Sequence, residues 1–264
     1  MSDVQGRPRG SMSTERRYGI AISVALILGG VYWALTGLTS GARSDQSSYP
    51  VDGTTLLVKG GSATVEVLPG DGTEVKVERQ FERNVFGSDP QEKYDADAHR
   101  LQLDGGGCGF LSFGCKTSYV LTVPRNVQLT VESNSGDVTV SGMRAGTTVK
   151  TSSGDIAVHD VGGPLDLRSS SGDLDADALN STSVTTSTSS GSATLEFAVA
   201  PQSIESKSSS GDVSIGIPAG DEAYKVDTKT SSGDESANVK SDPAATREIT
   251  ARTSSGDVSI DYTH

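Results

Sequence analysis

Large aromatic side chains are scarce in this sequence. Five Phe, seven Tyr and one Trp are spread over 264 residues, too few for the broad core of a large globular domain. Cysteine occurs only twice, so no second Cys pair completes a zinc set. Positive charge is also short: 22 Lys and Arg stand against 34 Asp and Glu, a net charge of −12. That balance argues against a nucleic-acid binder, which needs a basic footprint. Several catalytic signatures are missing as well: G-x-S-x-G, H-E-x-x-H and the P-loop. The three histidines, His99, His159 and His264, lie far apart in the chain and read as surface residues. No carboxylate pair stands out as a glycosidase dyad. The expectation is therefore a protein with no catalytic residues, no cofactor and no metal. What the chain has in quantity is Gly, 31 in all, together with Ser and Thr. This suits a thin core of Val, Ile, Leu, Thr and Ser.

Long apolar runs are absent except for one. "YGIAISVALILGGVYWALTGL", residues 18–38, carries no charge. As a helix it would run roughly 31 Å, matching a hydrocarbon core of about 30 Å. Tyr18 stands at one end, and Tyr32 and Trp33 near the other, where interfacial aromatics belong. Arg7, Arg9, Arg16 and Arg17 precede it, and the positive-inside rule keeps that side cytoplasmic. The expected layout is a cytoplasmic tail (1–17), a single transmembrane helix (18–38), a polar linker (39–50) and an exported domain (51–264). Ser40-Gly41-Ala42 would also serve as a signal-peptide cleavage site, although the apolar run is longer than the usual signal core. Setting aside the tail's four Arg and two acids leaves 18 basic and 32 acidic residues. An exported part so acidic should not lie flat on an anionic bilayer.

Cys108 and Cys115 sit in "GGGCGFLSFGCK", in the exported portion. Disulfides persist in that compartment, so a structural bridge is expected.

From Thr54 onward the pattern is strand-like. "TVEVLPGDGTEVKVER" reads as two alternating strands around the turn Pro69-Gly70-Asp71-Gly72. Residues 84–98 read as an exposed loop, and "SYVLTVP", residues 118–124, as another strand. A repeat then takes over. Ser-Gly-Asp or Ser-Gly-Ser recurs with its glycine at Gly136, Gly154, Gly172, Gly191, Gly211, Gly233 and Gly256, at spacings of 18, 18, 19, 20, 22 and 23. A steady period near 20 is the signature of a solenoid.

The flanking residues alternate with period two. Val127, Leu129 and Val131 share one side, then Val138 and Val140. Val149, Thr151 and Ser153 share it in the next copy, then Ile156 and Val158. The inward set is odd-numbered before Gly-Asp and even-numbered after it. Such a shift would flip every side chain to the wrong face unless the chain bends there. Gly-Asp is therefore read as a corner between two strands. Gly supplies a positive φ, and Asp137, Asp155, Asp173, Asp212, Asp234 and Asp257 accept hydrogen bonds within their own turns. Inward Ser and Thr hydroxyls must find partners, for which neighbouring coils are the natural source. Ser192 replaces Asp in one copy, and Glu235 stands where an apolar residue is expected in another, marking coils that are bent or looser.

The copies "NSGDVTV" (134–140), "SSGDIAV" (152–158), "SSGDLDA" (170–176) and "SSGDVSI" (209–215 and 254–260) resemble the bacterial envelope β-strand repeat, or putative adhesin, family. The core domain of that family has no assigned function. The likeness covers nearly all of the exported part and implies a β-repeat fold at the cell surface. It brings no catalytic residues.

In-register corners would stack carboxylates about 5 Å apart, an arrangement that calcium could relieve. The calcium-binding nonapeptide G-G-x-G-x-D is absent, and the plainer reading is a column of turn caps.

The fold expected is an all-β solenoid following one transmembrane helix. The function expected is a non-catalytic, membrane-anchored surface protein, its N-terminus cytoplasmic and residues 39–264 extracellular, that serves as an envelope-structural module or as a binding and adhesion module for a wall polymer or envelope protein. The alternative is an envelope-stress or signalling accessory acting through a membrane partner. A glycan-active enzyme stands third. The last strand, "VSIDYTH", is expected to leave an open pairing edge.

Overall fold

The computed structural model describes residues 42–51, 53–82, 89–105 and 117–263. The expected tail and membrane helix, the pair Cys108 and Cys115, and His264 lie outside the described residues. Among the described residues no helix is long and apolar enough to cross a membrane.

The described chain is all β. Seven strands precede the repeat: β1 (Ala42–Pro50), β2 (Thr55–Gly61), β3 (Thr64–Gly70), β4 (Glu74–Glu82), β5 (Gln91–Asp95), β6 (Arg100–Asp104) and β7 (Thr117–Pro124). Each repeat then contributes one strand on either side of its Ser-Gly-Asp corner. The pairs are β8 (Gln128–Ser133) with β9 (Val138–Ser141), β10 (Thr147–Thr151) with β11 (Ile156–His159), and β12 (Leu165–Ser169) with β13 (Leu174–Leu179). They continue with β14 (Ser183–Ser190) and β15 (Ala193–Phe197), then β16 (Ser203–Ser210) and β17 (Val213–Pro218). The last two are β18 (Tyr224–Lys229) with β19 (Glu235–Ala237) and β20 (Arg247–Arg252) with β21 (Val258–Thr263).

The strands form two sheets. Sheet A runs β1-β4-β7-β3-β9-β11-β13-β15-β17-β21-β19, and sheet B runs β18-β20-β16-β14-β12-β10-β8-β2-β6-β5. Each coil places one strand in each sheet, and successive coils pair in parallel, as a flattened solenoid requires.

The expected alternation is what fills the space between the sheets. One column of sheet A reads Val65, Val138, Ile156, Leu174, Ala193, Val213 and Val258, each paired to the next and none more than 1% exposed. Across from it, sheet B stacks Leu56, Leu129, Thr147, Leu165, Val184, Ile204 and Ile249. Branched aliphatic side chains fit a pleated, buried surface. Each coil buries only a few of them, so the fold holds together by stacking and not by a central core. In the neighbouring column of sheet B, Thr186 Oγ1 donates to Ser206 Oγ on the next strand at 2.7 Å, whereas Thr147 Oγ1 is buried without a partner.

Four sequence expectations change. Residues 42–50 are not linker: β1 pairs antiparallel with β4 along its whole length. The loop expected over 84–98 contains β5, which pairs antiparallel with β6. β3 and β4 are both strands, but they do not form a hairpin, because β7 lies between them. The fourth change concerns the end of the chain. The last coil, β20 and β21, does not stack outermost. It is inserted between β16/β17 and β18/β19, so β21 pairs with β17 on one side and β19 on the other. The strand expected to be an open edge is interior. The open edges at this end belong to β18 and to β19, which is only three residues long and polar, as protected edges are.

This placement explains Glu235. It lies on the outermost strand of sheet A, beyond which no further coil follows among the described residues. Its carboxylate accepts from the Thr230 N–H at 2.9 Å and from Thr228 Oγ1 at 2.9 Å. Those contacts, the Thr230 N–H first, hold it below the usual carboxylate range. The apolar residue missing there marks the cap.

Candidate functional site: the stacked corners and the faces beside them

The seven corners form one continuous ridge, and three columns of side chain and backbone build it. The first is the carboxylate column. Asp155 N–H donates to Asp137 Oδ1 at 3.1 Å, and Asp173 N–H to Asp155 Oδ1 at 2.9 Å. Ser192 N–H donates to Asp173 Oδ1, Asp257 N–H to Asp212 Oδ1 and Asp234 N–H to Asp257 Oδ1, each at 2.8 Å. In the opposite direction, Val138 N–H donates to the Asp155 carbonyl and Ile156 N–H to that of Asp173. Five of the six corner Asp therefore cap the next coil, Asp234 on the outermost coil being the exception, which corrects the expectation that each caps its own turn. Ser192 does not interrupt the column: its Oγ accepts from Asp212 N–H at 3.3 Å, a longer contact from a neutral acceptor.

The second column is glycine. A Cβ on Gly154 would sit 2.3 Å from the Gly136 carbonyl oxygen, on Gly172 2.1 Å from that of Gly154, and on Gly233 2.0 Å from that of Gly256. The reason for glycine is this backbone approach. A left-handed φ was expected as the reason, yet of the seven only Gly211, Gly233 and Gly256 have one.

The third column is the hydroxyl residue three before each glycine: Ser133, Thr151, Ser169, Thr188, Ser208, Thr230 and Thr253. These point inward, whereas Ser153, expected inside, is exposed. As anticipated, neighbouring coils supply most of the partners. Ser208 Oγ donates to the Gly191 carbonyl at 3.0 Å, Thr253 Oγ1 to Gly211 at 2.9 Å and Thr230 Oγ1 to Gly256 at 2.9 Å. Thr151 instead accepts from its own corner, from Gly154 N–H at 2.9 Å. Corner polarity is thus spent on holding coils together, and among the described residues no three His, Cys, Asp or Glu gather as a metal site.

The outer face of sheet B beside this ridge is different. The residue four before each glycine is Glu132, Lys150, Arg168, Ser187, Lys207, Lys229 or Arg252. Register places these side by side in the spatial order Glu132, Lys150, Arg168, Ser187, Lys207, Arg252, Lys229. Five of the seven are basic, on an acidic chain. Sequence reading missed this row, although a basic residue at one fixed offset from the glycine in five copies is a visible signal. Carboxylates offset part of the charge: Arg168 and Lys207 meet Asp166, at 2.9 Å, and Glu205, each two residues earlier, and Arg252 meets Asp227 on the adjacent strand.

On the opposite face, His159 contacts Asp177 on the adjacent strand of sheet A. At the far turn, Arg144 clasps Asp160 through two hydrogen bonds of 3.0 and 2.7 Å, and Asn180 donates to Asp160 at 2.8 Å. Arg144 first, by these bonds, holds the Asp160 carboxyl below its usual range. At the N-terminal end Arg79 joins Asp45 at 2.7 Å and Glu92 at 2.9 Å. Beside this pair the fully buried Tyr119 donates to the Asp104 carbonyl at 2.7 Å. Burial, then the charge of Glu92, pushes the Tyr119 phenol well above its ordinary value. These are structural clasps at the ends and turns of the stack.

No curated protein matches the chain. Among solved structures, it is similar to a putative adhesin from Bacteroides fragilis NCTC 9343, with a TM-score of 0.49 and 13% identity over 84% of this chain and 97% of that one. A putative adhesin from Parabacteroides distasonis ATCC 8503 has a TM-score of 0.48 and 11% identity over 85% and 98%. A putative cell adhesion protein from Clostridium sporogenes ATCC 15579 has a TM-score of 0.34 and 10% identity over 84% and 100%. The sequence model of the family described as Toastrack DUF4097 matches residues 54–264, the whole stack from β2 onward, and the chain belongs to that family.

Proposed function

We propose that the protein is a non-catalytic binding module, held at the outer face of a bacterial membrane by residues 18–38, that engages a polymer or protein of the envelope. The observation that carries this reading is the row at one fixed offset from every corner. The solenoid turns a sequence repeat into side chains in register on an outer surface, and a repeated surface suits a repeated ligand. The corner polarity, by contrast, is consumed internally. The charge-free run of residues 18–38 supports the anchor.

The test is co-sedimentation of the full chain, purified in detergent, with cell walls of the source bacterium, with and without calcium. Saturable pelleting independent of calcium is expected. No pelleting in either condition would sink the binding reading and favour action through a membrane partner.

A further inference from the structure

The basic row, taken with the binding reading above, names a ligand class. Lys207, Arg252 and Lys229 stand in direct register on β16, β20 and β18. Neighbouring strands lie about 4.8 Å apart, so the three charges span about 10 Å. Like charges directly opposite one another on adjacent strands destabilise a sheet. A net charge of −12 makes such a run costly to explain by composition.

The carboxylates near the three lie outside the cleft that they border. Glu205, two residues before Lys207, and Asp227, two before Lys229, lie away from the corner and meet Lys207 and Arg252. Lys229 makes no ion pair among the described residues, although its charge acts on the nearby Glu235 carboxylate, which does not line the cleft. Toward the corner, the three cations border a cleft of about 410 Å³ whose other lining is Ser and Thr, including Ser189, Ser209 and Ser254. No carboxylate lines it. Cations and hydroxyl donors together are the groups that hold a phosphate.

We infer that this cleft binds a phosphodiester-linked anionic polymer, seated along the row. The cleft is open and runs across strands, which suits an extended chain better than a compact ligand. Past Ser187 the row continues through Arg168 and Lys150, so a longer polymer meets further cations. A phospholipid surface offers the same phosphate chemistry. A flat bilayer, however, would bring the acidic remainder of the chain against like charge.

The experiment titrates the full chain with poly(glycerol phosphate) at low salt, with neutral dextran and phosphatidylglycerol vesicles as the other arms. Binding to poly(glycerol phosphate) alone is expected. The Lys207→Gln, Arg252→Gln, Lys229→Gln triple variant should bind at least about tenfold more weakly, with a shallower salt dependence. Glu205→Gln with Asp227→Asn should bind more tightly, a gain that misfolding would not produce. Unchanged affinity in both variants, or binding to vesicles without the polymer, would overturn the inference. Pelleting with cell walls but no affinity for poly(glycerol phosphate) would overturn this site and leave the binding reading standing. Failure of both assays would remove both.

Discussion

The main-chain N–H of Asp173 donates to Oδ1 of Asp155, one coil away, across 2.9 Å. The same relation repeats along the ridge, so every corner after the first is completed by a side chain from its neighbour. The repeat is therefore a joint between coils as much as a turn within one.

Replacing Asp155 with Ala removes the acceptor for Asp173 N–H. A loss of about 1 kcal/mol is expected, the scale of a lost side-chain cap. Asp155→Asn keeps a carbonyl oxygen there and should lose less. Denaturant melts of the two variants decide this, and equal stability of Asp155→Ala and the parent protein would refute the joint.

Gly172→Ala places a Cβ 2.1 Å from the Gly154 carbonyl oxygen, a backbone atom. The coils must separate locally, at a cost of about 1–3 kcal/mol. Gly162→Ala is the control, because its Cβ meets nothing closer than 3.6 Å, and it should stay within about 0.5 kcal/mol. Thermal melts that fail to separate the two would contradict the close stacking.

Two inward hydroxyls should respond oppositely. Thr151→Val strips the acceptor from Gly154 N–H and should cost about 1–2 kcal/mol. Ser169 Oγ is buried without a partner, so Ser169→Ala should be neutral or stabilising. A larger loss for Ser169→Ala than for Thr151→Val would show that the column is wrongly assigned.

Asp160 titrates below its ordinary range in the folded protein because Arg144 grips it. A carboxyl depressed on folding contributes stability above its unfolded pKa, near 4, and loses it as pH falls to the lower folded value. Stability measured from pH 6 downward should fall less steeply in Asp160→Asn than in the parent. Parallel acid limbs would exclude the clasp as a source of pH dependence.

Deleting residues 247–264 removes a coil from inside the stack. β18 and β19 lose their neighbour together with it, so residues 219–246 should become protease-sensitive while β8 to β15 stay protected. Retained protection across 219–246 would mean that this coil had reseated on β16 and β17.

Much of the stack was legible in the sequence, because a period of two and a period near 20 are both set by backbone geometry. Val138, Val140, Ile156 and Val158 turn inward as the alternation requires. The end of the stack was not legible. Every corner carries nearly the same letters, so the corners themselves do not say whether the coil of Val258 follows or precedes that of Glu235. Glu235 held the clue, since a carboxylate in an inward position fits only where no coil lies beyond. The glycines were read as conformational when most are steric, because one strand by itself does not show how near the next carbonyl comes. The basic row was legible in principle, but it becomes a surface only when register brings Lys207, Arg252 and Lys229 together.

The inserted coil also sets an order of events during synthesis. The segment from Tyr224 to Ala237 leaves the ribosome before the strands that will lie between it and β16/β17. Until residues 247–263 emerge, two sheet edges stand bare, and edges of that kind pair readily with the wrong partner. Completion of the stack thus waits on strands translated after the pair that they separate from the rest, and a chain cut short before Arg247 would present its own unfinished state.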